Sequence, residues 1–236
     1  PRVSNQSRIS FLLRKPLPSS TIFMPDVFAV MSTLVAPAST LFIKHSKIAL
    51  PNEPAWLNQV HGTQVLELDS WQGGLTDADA AVSKTAGKVC VVMTADCLPL
   101  LLTNRHGNWV AALHAGWRGL AGGIIDSALA HYPGQRHELL VWLGPCIGQQ
   151  AFEVGHEVRS AFVAAFGADA NTCFVAHGDK LLANLPALAR LRLQQLGVDA
   201  IYGGQWCTHN DEQQFFSYRR QAVTGRMASL ITINAR

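Results

Sequence analysis

Residues 89–114 constrain the fold more than any other stretch of the chain. Three short apolar runs follow one another there: Val89–Thr94 (VCVVMT), Leu98–Thr103 (LPLLLT) and Trp109–His114 (WVAALH). Each is too short for an ordinary helix and lacks a polar face, so each reads as a buried strand; the first is rich in β-branched residues. The turn-forming segment Asn104-Arg-His-Gly-Asn108 joins the last two, which makes residues 98–114 a hairpin. Asp96 and Cys97 sit at the break between the first two runs.

The rest of the chain mixes both kinds of element. Gln64–Leu68 alternates as a strand does, and Ser70–Ala80 (SWQGGLTDADA) reads as a loop. A helix is expected over Gly119–His131, stopped by Tyr132-Pro133-Gly134. Leu139–Leu143 reads as a strand leading into GPCIG. Val154–Phe166 reads as an amphipathic helix ended by Gly167, with Val154, Val158, Ala161, Phe162 and Ala165 on one face. Lys180–Leu196 reads as a further helix ended by Gly197. Ala200–Tyr202, Gln214–Tyr218 and Met227–Ile233 read as late strands. Strands and helices mixed with hairpins predict an α+β (mixed α/β) fold rather than an alternating parallel barrel. With 48% hydrophobic and 15% charged residues, the chain can bury a sizeable core, and no repeat or linker divides residues 1–236, so one domain is expected. Residues 1–55 are irregular, rich in Ser and Pro; the dense pattern starts at Trp56.

Several classes are disfavoured. The net charge of +3, from 19 basic and 16 acidic residues, is too mild to imply nucleic acid, and no basic run supports it. No GxGxxG and no P-loop occurs, and the HxE…PCxxC signature of cytidine-type zinc deaminases is missing. The nine histidines contain no HxH pair, which counts against a conventional multicopper oxidase. Five cysteines without a CxxC pair do not form a secreted disulfide framework, which points to a reducing cytoplasm. Val27–Ile43, an apolar run downstream of Arg14 and Lys15 that contains Ala36-Pro37-Ala38, faintly resembles an export signal. Its late placement and its Ser, Thr and Pro content favour a core strand and make it a poor membrane span.

Three candidate ligands stand where strands end beside small residues: His61 in NQVHG, Cys97 in TADC and His114 in LHAGWRG. Imidazole and thiolate bind zinc well, and three protein ligands with an open position define a catalytic zinc site. Cys97 and His114 also satisfy the minimum for thiolate catalysis, with Asp96 able to orient either group or to cap a turn. Arg118, at the start of the expected helix, suits an anion such as phosphate, and FFSYRR offers Tyr218, Arg219 and Arg220 as a second set of contacts. Cys207 and His209, with no matching partners nearby, read as structural.

Taken in order and spacing, NQVHG, DADAAV, VMTADCLPLLL, AALHAGWRGLAGG, WLGPCIG, FEVGHEV, GGQWCT and FFSYRR…TGRMASLI resemble the bacterial multicopper polyphenol oxidase (laccase) domain family. Its members are described as purine nucleoside phosphorylases with adenosine deaminase and methylthioadenosine phosphorylase activity. The resemblance runs from about Trp56 to the C-terminus. It implies a layered α-β-β-α single domain, related in topology to a toxin deamidase that uses a Cys–His pair. It implies zinc on His61, Cys97 and His114, with copper as an alternative because thiolate suits Cu(I). The implied substrates are a purine nucleoside and phosphate, with no nucleic acid and no membrane. Phosphate would be held by Arg118 and Arg219, and protons handled by Asp96 or Tyr218. Residues 1–55 lack the family's Arg-x-Gly-Gly-Val-Ser and Ser-Leu-Asn-Leu-Gly stretches, so no N-terminal contact carries over. Against a zinc phosphorylase and deaminase stand a copper-dependent polyphenol oxidase and a Cys–His hydrolase or amidase.

Overall fold

The hairpin of Leu98–Asn104 and Val110–Ala115 forms the centre of a six-stranded sheet in the computed structural model, which describes residues 50–234 and the backbone of Val27–Leu34. Every residue of both strands is buried, as uninterrupted apolar runs require. The strand order is Ala200–Gly203, Leu139–Leu143, Leu98–Asn104, Val110–Ala115, Ala80–Ser83, Val65–Glu67. The two outermost pairings are parallel and the three inner ones antiparallel.

Side-chain alternation splits the core in two. Leu98, Leu100, Leu102, Ala111 and Leu113 point to one face, where all four described α-helices bury their apolar residues. These are α1 (Trp117–Gly122), α2 (Ile124–Ala130), α3 (His156–Phe166) and α4 (Leu185–Gln195). Leu101, Val110, Ala112, Leu140 and Trp142 point to the other face and meet Cys90, Val92, Met227 and Ile231 of a second sheet. That sheet is antiparallel, in the order Val27–Leu34, Arg226–Ile233, Val89–Thr94. Its outer face carries Val89, Val91, Ala228 and Leu230, against which Leu50 and Trp56 pack. The fold is thus a layered, mixed α/β single domain. The segment Ala95-Asp96-Cys97 carries the chain from the small sheet to the large one, with Asp96 in the left-handed region at φ 88°. Cys97 therefore stands at one end of the sandwich.

Local chemistry corrects several expected elements. The helix expected over 119–131 begins at Trp117 and is two helices, because Gly123 takes φ 98° between them. Val154 lies in a short strand, and α3 starts after Gly155. Lys180–Ala183 is a strand paired with Phe174–His177, not the start of a helix. Asn184 separates them: its Oδ1 accepts from the Ala187 amide at 3.0 Å, and Pro186 occupies the first turn. Asn184→Ala should therefore lower stability by about 1 kcal/mol, read as a shifted denaturation midpoint with an unchanged slope. Gln214–Tyr218 is not a strand. Asp211 closes turns on Gln214 and Phe215, and the Arg220 guanidinium donates to the carbonyls of Thr208, His209 and Phe215. Within the expected loop 70–80, Thr76–Asp77 pairs with Leu57–Asn58.

Val27–Leu34, the first part of the apolar run, is a strand; residues 35–43, including Ala36-Pro37-Ala38, lie outside the described residues, as do Arg14 and Lys15. Among the described residues no helix is long and apolar enough to cross a membrane.

Candidate metal centre and cleft

His114 is the fifth residue of Val110–Ala115, Cys97 immediately precedes Leu98–Asn104, and these two strands are paired. His61 reaches the same place from the loop after Leu57–Asn58, held in the left-handed region at φ 59°. The ligand atoms of His61, Cys97 and His114 all lie within 4.8 Å of one another, and they form the one such group of three among the described residues. His61 Nε2 lies 3.8 Å from Cys97 Sγ, and the two imidazole rings meet edge to face at 4.8 Å. A zinc ion at about 2.0–2.3 Å from each donor places neighbouring donors roughly 3.5 Å apart, so small side-chain adjustments suffice to hold one.

One residue without an assigned role in the sequence organises this group. Asp79, fully buried at the start of Ala80–Ser83, accepts four hydrogen bonds. Its Oδ1 accepts from the His61 amide at 2.9 Å and pairs with His114 Nδ1 at 2.7 Å; its Oδ2 accepts from the amides of Val60 at 3.2 Å and Gly62 at 2.6 Å. The three successive amides form a nest around the carboxylate. Asp79 thus fixes the His61 backbone and, by accepting from His114 Nδ1, leaves Nε2 as the nitrogen of that ring available to a metal. Two further features serve the same end. The Gln59 side chain bonds both the amide and the carbonyl of Met93, at 2.7 and 2.8 Å, tying the loop before His61 to the small sheet. Gly116 leaves room for the ligands: a Cβ there would stand 3.0 Å from both Cys97 Sγ and His61 Cδ2.

The electrostatics follow from these contacts. Burial opposes ionisation of Cys97, but hydrogen bonds and charge from His114 and His61 outweigh it and bring the thiol down to about 7. Burial likewise opposes the cationic form of His114, yet Asp79 and Cys97 raise it to about 9. Burial disfavours the Asp79 carboxylate, and its bonds to His114 and the Gly62 amide still leave it below the usual carboxylate value. In Cys90 and Cys146, by contrast, burial pushes the thiols far upward. In metal-stripped protein, iodoacetamide should therefore label Cys97 at a rate that climbs as pH rises through about 7, where the thiolate forms. An ordinary thiol would do so near 8.5. Peptide mapping after timed alkylation reads this, and added zinc should suppress it.

The three candidate ligands open on a cleft of about 670 Å³ that is also lined by Trp117, Arg118, Phe152, Tyr218 and Arg219. Arg118 is exposed and stacks on the Trp117 ring at 4.5 Å. It is the second residue of a six-residue helix, and its guanidinium lines the cleft. Arg219 lies over Phe152 and makes long bonds, 3.3–3.5 Å, to the carbonyls of Ala151 and Glu153. Tyr218 is 57% exposed at the mouth. Asp96 also borders the cleft, but its carboxylate bonds Thr208, Ser217 and the Arg219 amide; the partner of His114 is Asp79. Cys207 accepts from the Gly148 amide, and His209 pairs with Asn210, both apart from the ligand group. A second hollow, of about 510 Å³ beside Phe215, Arg220 and Val223, contains no such ligand set.

Comparison with known proteins supplies an independent line. Residues 35–234 match the family described as multi-copper polyphenol oxidoreductase laccase. Purine nucleoside phosphorylase YfiH of Escherichia coli is 52% identical over 182 residues, spanning 77% of this chain and 74% of the relative. Purine nucleoside phosphorylase PA4543 of Pseudomonas aeruginosa is 51% identical over 180 residues, spanning 75% and 73%. The crystal structure of Neisseria meningitidis protein NMB0706 superposes with a TM-score of 0.75 at 48% identity, over 77% of this chain and 76% of that one. YlmD from Geobacillus stearothermophilus, 21% identical, shares the fold with a TM-score of 0.77 over 94% and 99% of the two chains.

Proposed function

Because the chain belongs to the multi-copper polyphenol oxidoreductase laccase family, with relatives named purine nucleoside phosphorylases, we propose that it is an enzyme that cleaves purine nucleosides with phosphate. Adenosine, inosine and methylthioadenosine are the substrates, and it also deaminates adenosine. The observation that carries this reading is the shared cleft: a His–Cys–His ligand group and two guanidiniums face one space.

His61, Cys97 and His114 would hold zinc. The donor set is the borderline and soft one that zinc takes, Asp79 supplies the outer carboxylate typical of such histidines, and Gly116 leaves the space beside them free. When bound, zinc supplies Lewis-acid polarisation and brings a water's pKa toward neutrality, the chemistry that replacing the C6 amino group of adenosine by oxygen needs. In phosphorolysis, a phosphate oxygen bonds to the ribose C1′ while the bond from C1′ to the purine nitrogen breaks, and the departing base takes up a proton. Arg118 and Arg219 bind and orient the phosphate, and their planar forks match its oxygens. Tyr218, exposed at the mouth of the cleft, gives the base an aromatic surface and brings a hydroxyl there. The family description speaks of several coppers, but the described residues offer one three-residue ligand group. That inventory favours a single-ion phosphorylase over a multicopper oxidase.

A second reading has its own observation. Asp79, His114 and Cys97 stand in the order of an acid, a base and a thiolate, as in cysteine hydrolases. The two readings separate in one experiment: metal analysis of the purified protein together with purine release from inosine, with and without phosphate and a chelator. Phosphate-dependent, chelator-sensitive release with about one zinc per chain supports the phosphorylase. Amide hydrolysis that ignores chelators and stops on alkylation of Cys97 supports the hydrolase and defeats the first reading.

A further inference from the structure

Asp96 precedes the ligand Cys97, and its carboxylate is spent on a distant part of the chain. Oδ1 accepts from Thr208 Oγ1 at 2.5 Å; Oδ2 accepts from Ser217 Oγ at 3.0 Å and from the Arg219 amide at 2.7 Å. Its own carbonyl accepts from the Ile147 amide at 2.9 Å. Thr208 and Ser217 are both fully buried. The same oxygen therefore grips the residues on either side of Tyr218. The segment concerned has no strand pairing over 209–225; Arg220 stitches it internally through the carbonyls of Thr208, His209 and Phe215. Asp96 itself sits at φ 88°, a conformation costly for a residue with a side chain and kept only where the surroundings hold it.

We infer that Asp96 is a positioning residue: it anchors the 208–220 loop to the metal-ligand strand, so that Tyr218 and Arg219 are set over the His61–Cys97–His114 group. The substrate contacts and the ligand Cys97 are then placed by one peptide unit. Asp96 does not move a proton in the reaction. The inference rests on the phosphorylase reading for the role of Arg219, and on hydrogen bonds alone for the anchoring.

Two substitutions separate anchoring from proton transfer. Asp96→Ala removes all three bonds. Asp96→Asn keeps an oxygen for Ser217 and the Arg219 amide, and its NH2 can donate to Thr208 Oγ1; asparagine also tolerates positive φ. With zinc-loaded full-length protein, inosine and inorganic phosphate, Asp96→Ala should raise KM for phosphate about tenfold or more, as the loss of hydrogen bonds to a charged group allows. Zinc content should stay at the wild-type level. Asp96→Asn should recover most of that loss with kcat near the wild-type value. Amide exchange over 217–220, measured by mass spectrometry, should quicken in the alanine variant and not in the asparagine one. If Asp96→Ala does not fold, Ser217→Ala should shift KM and exchange in the same direction by less. Equal loss of kcat in both Asp96 variants, with KM unmoved, would make Asp96 a proton carrier and overturn the inference; so would unchanged exchange in Asp96→Ala or, failing that, in Ser217→Ala. Wild-type protein that releases no base with phosphate would sink the functional reading, while the exchange data would still decide the anchoring.

Discussion

Asp79→Asn should weaken zinc binding by about 10–100-fold, the range that loss of an outer-shell partner of metal-bound histidine typically costs. The reason lies in the count of donors. Each Asp79 oxygen accepts two hydrogen bonds: Oδ1 takes the His61 amide and His114 Nδ1, and Oδ2 takes the Val60 and Gly62 amides. Asparagine offers one oxygen and one NH2, so in either orientation two of these donors face another donor. With the NH2 toward His114, the ring loses the bond that fixes its tautomer, and the His61 amide loses its acceptor. Turned the other way, the His61 amide keeps its acceptor, but the Val60 and Gly62 amides on either side of it, which help hold His61 at φ 59°, lose theirs. A buried donor without an acceptor costs about 1–3 kcal/mol, so the denaturation midpoint should fall as well. Competition with a chromophoric chelator measures the affinity. Purine release should drop in step at limiting zinc and recover in part at excess zinc. An Asp79→Asn protein with wild-type affinity would show that the ligands are organised without the clamp.

The expectations that held are those decided by a few neighbouring residues. Val89–Thr94, Leu98–Asn104 and Leu139–Leu143 are strands because each contains an unbroken apolar run of five residues, with no polar face to give to solvent. The ends of α3 and α4 were marked by Gly167 and Gly197, both at positive φ. The misread elements turn on chemistry the periodicity hides. Lys180–Leu196 has one apolar rhythm throughout, but the Asn184 cap and Pro186 divide it, and both signals were present in the sequence. Gln214–Tyr218 has the residues of a strand; it is held instead by Asp96, more than a hundred positions away, which no local pattern reveals. The three candidate ligands were legible as polar groups at strand ends, and the structure brings them together. Asp79 was not. Its place opposite His114 depends on the register of Ala80 against Leu113, a non-local pairing. An acid directly before a buried strand was the available signal.

Gly116→Ala should cut purine release by about tenfold, less than the roughly 10²-fold that a displacement near 1 Å costs a catalytic constellation, because contacts at 3.0 Å are relieved by a smaller shift of the ligands. Glycine is not required at this position by the backbone. Gly116 has φ −62° and ψ 159°, an extended conformation open to any residue. What glycine supplies is space, since an added Cβ would lie 3.0 Å from Cys97 Sγ and 3.0 Å from His61 Cδ2 together. Relief of either contact pushes a ligand off its line. The backbone of Cys97 is set between Asp96 and the buried Leu98, and the His61 amide is held by Asp79, so the contacts are relieved by turning the ligand side chains themselves. The strain therefore falls on the ligand geometry, and the rest of the fold should feel little of it. The denaturation midpoint of the metal-free protein should stay close to wild type, while zinc affinity and purine release both fall. That split distinguishes a crowded metal site from a destabilised protein: a lowered midpoint with normal zinc affinity would place the damage in the packing of α1, and unchanged activity would show that Cys97 and His61 have room to spare.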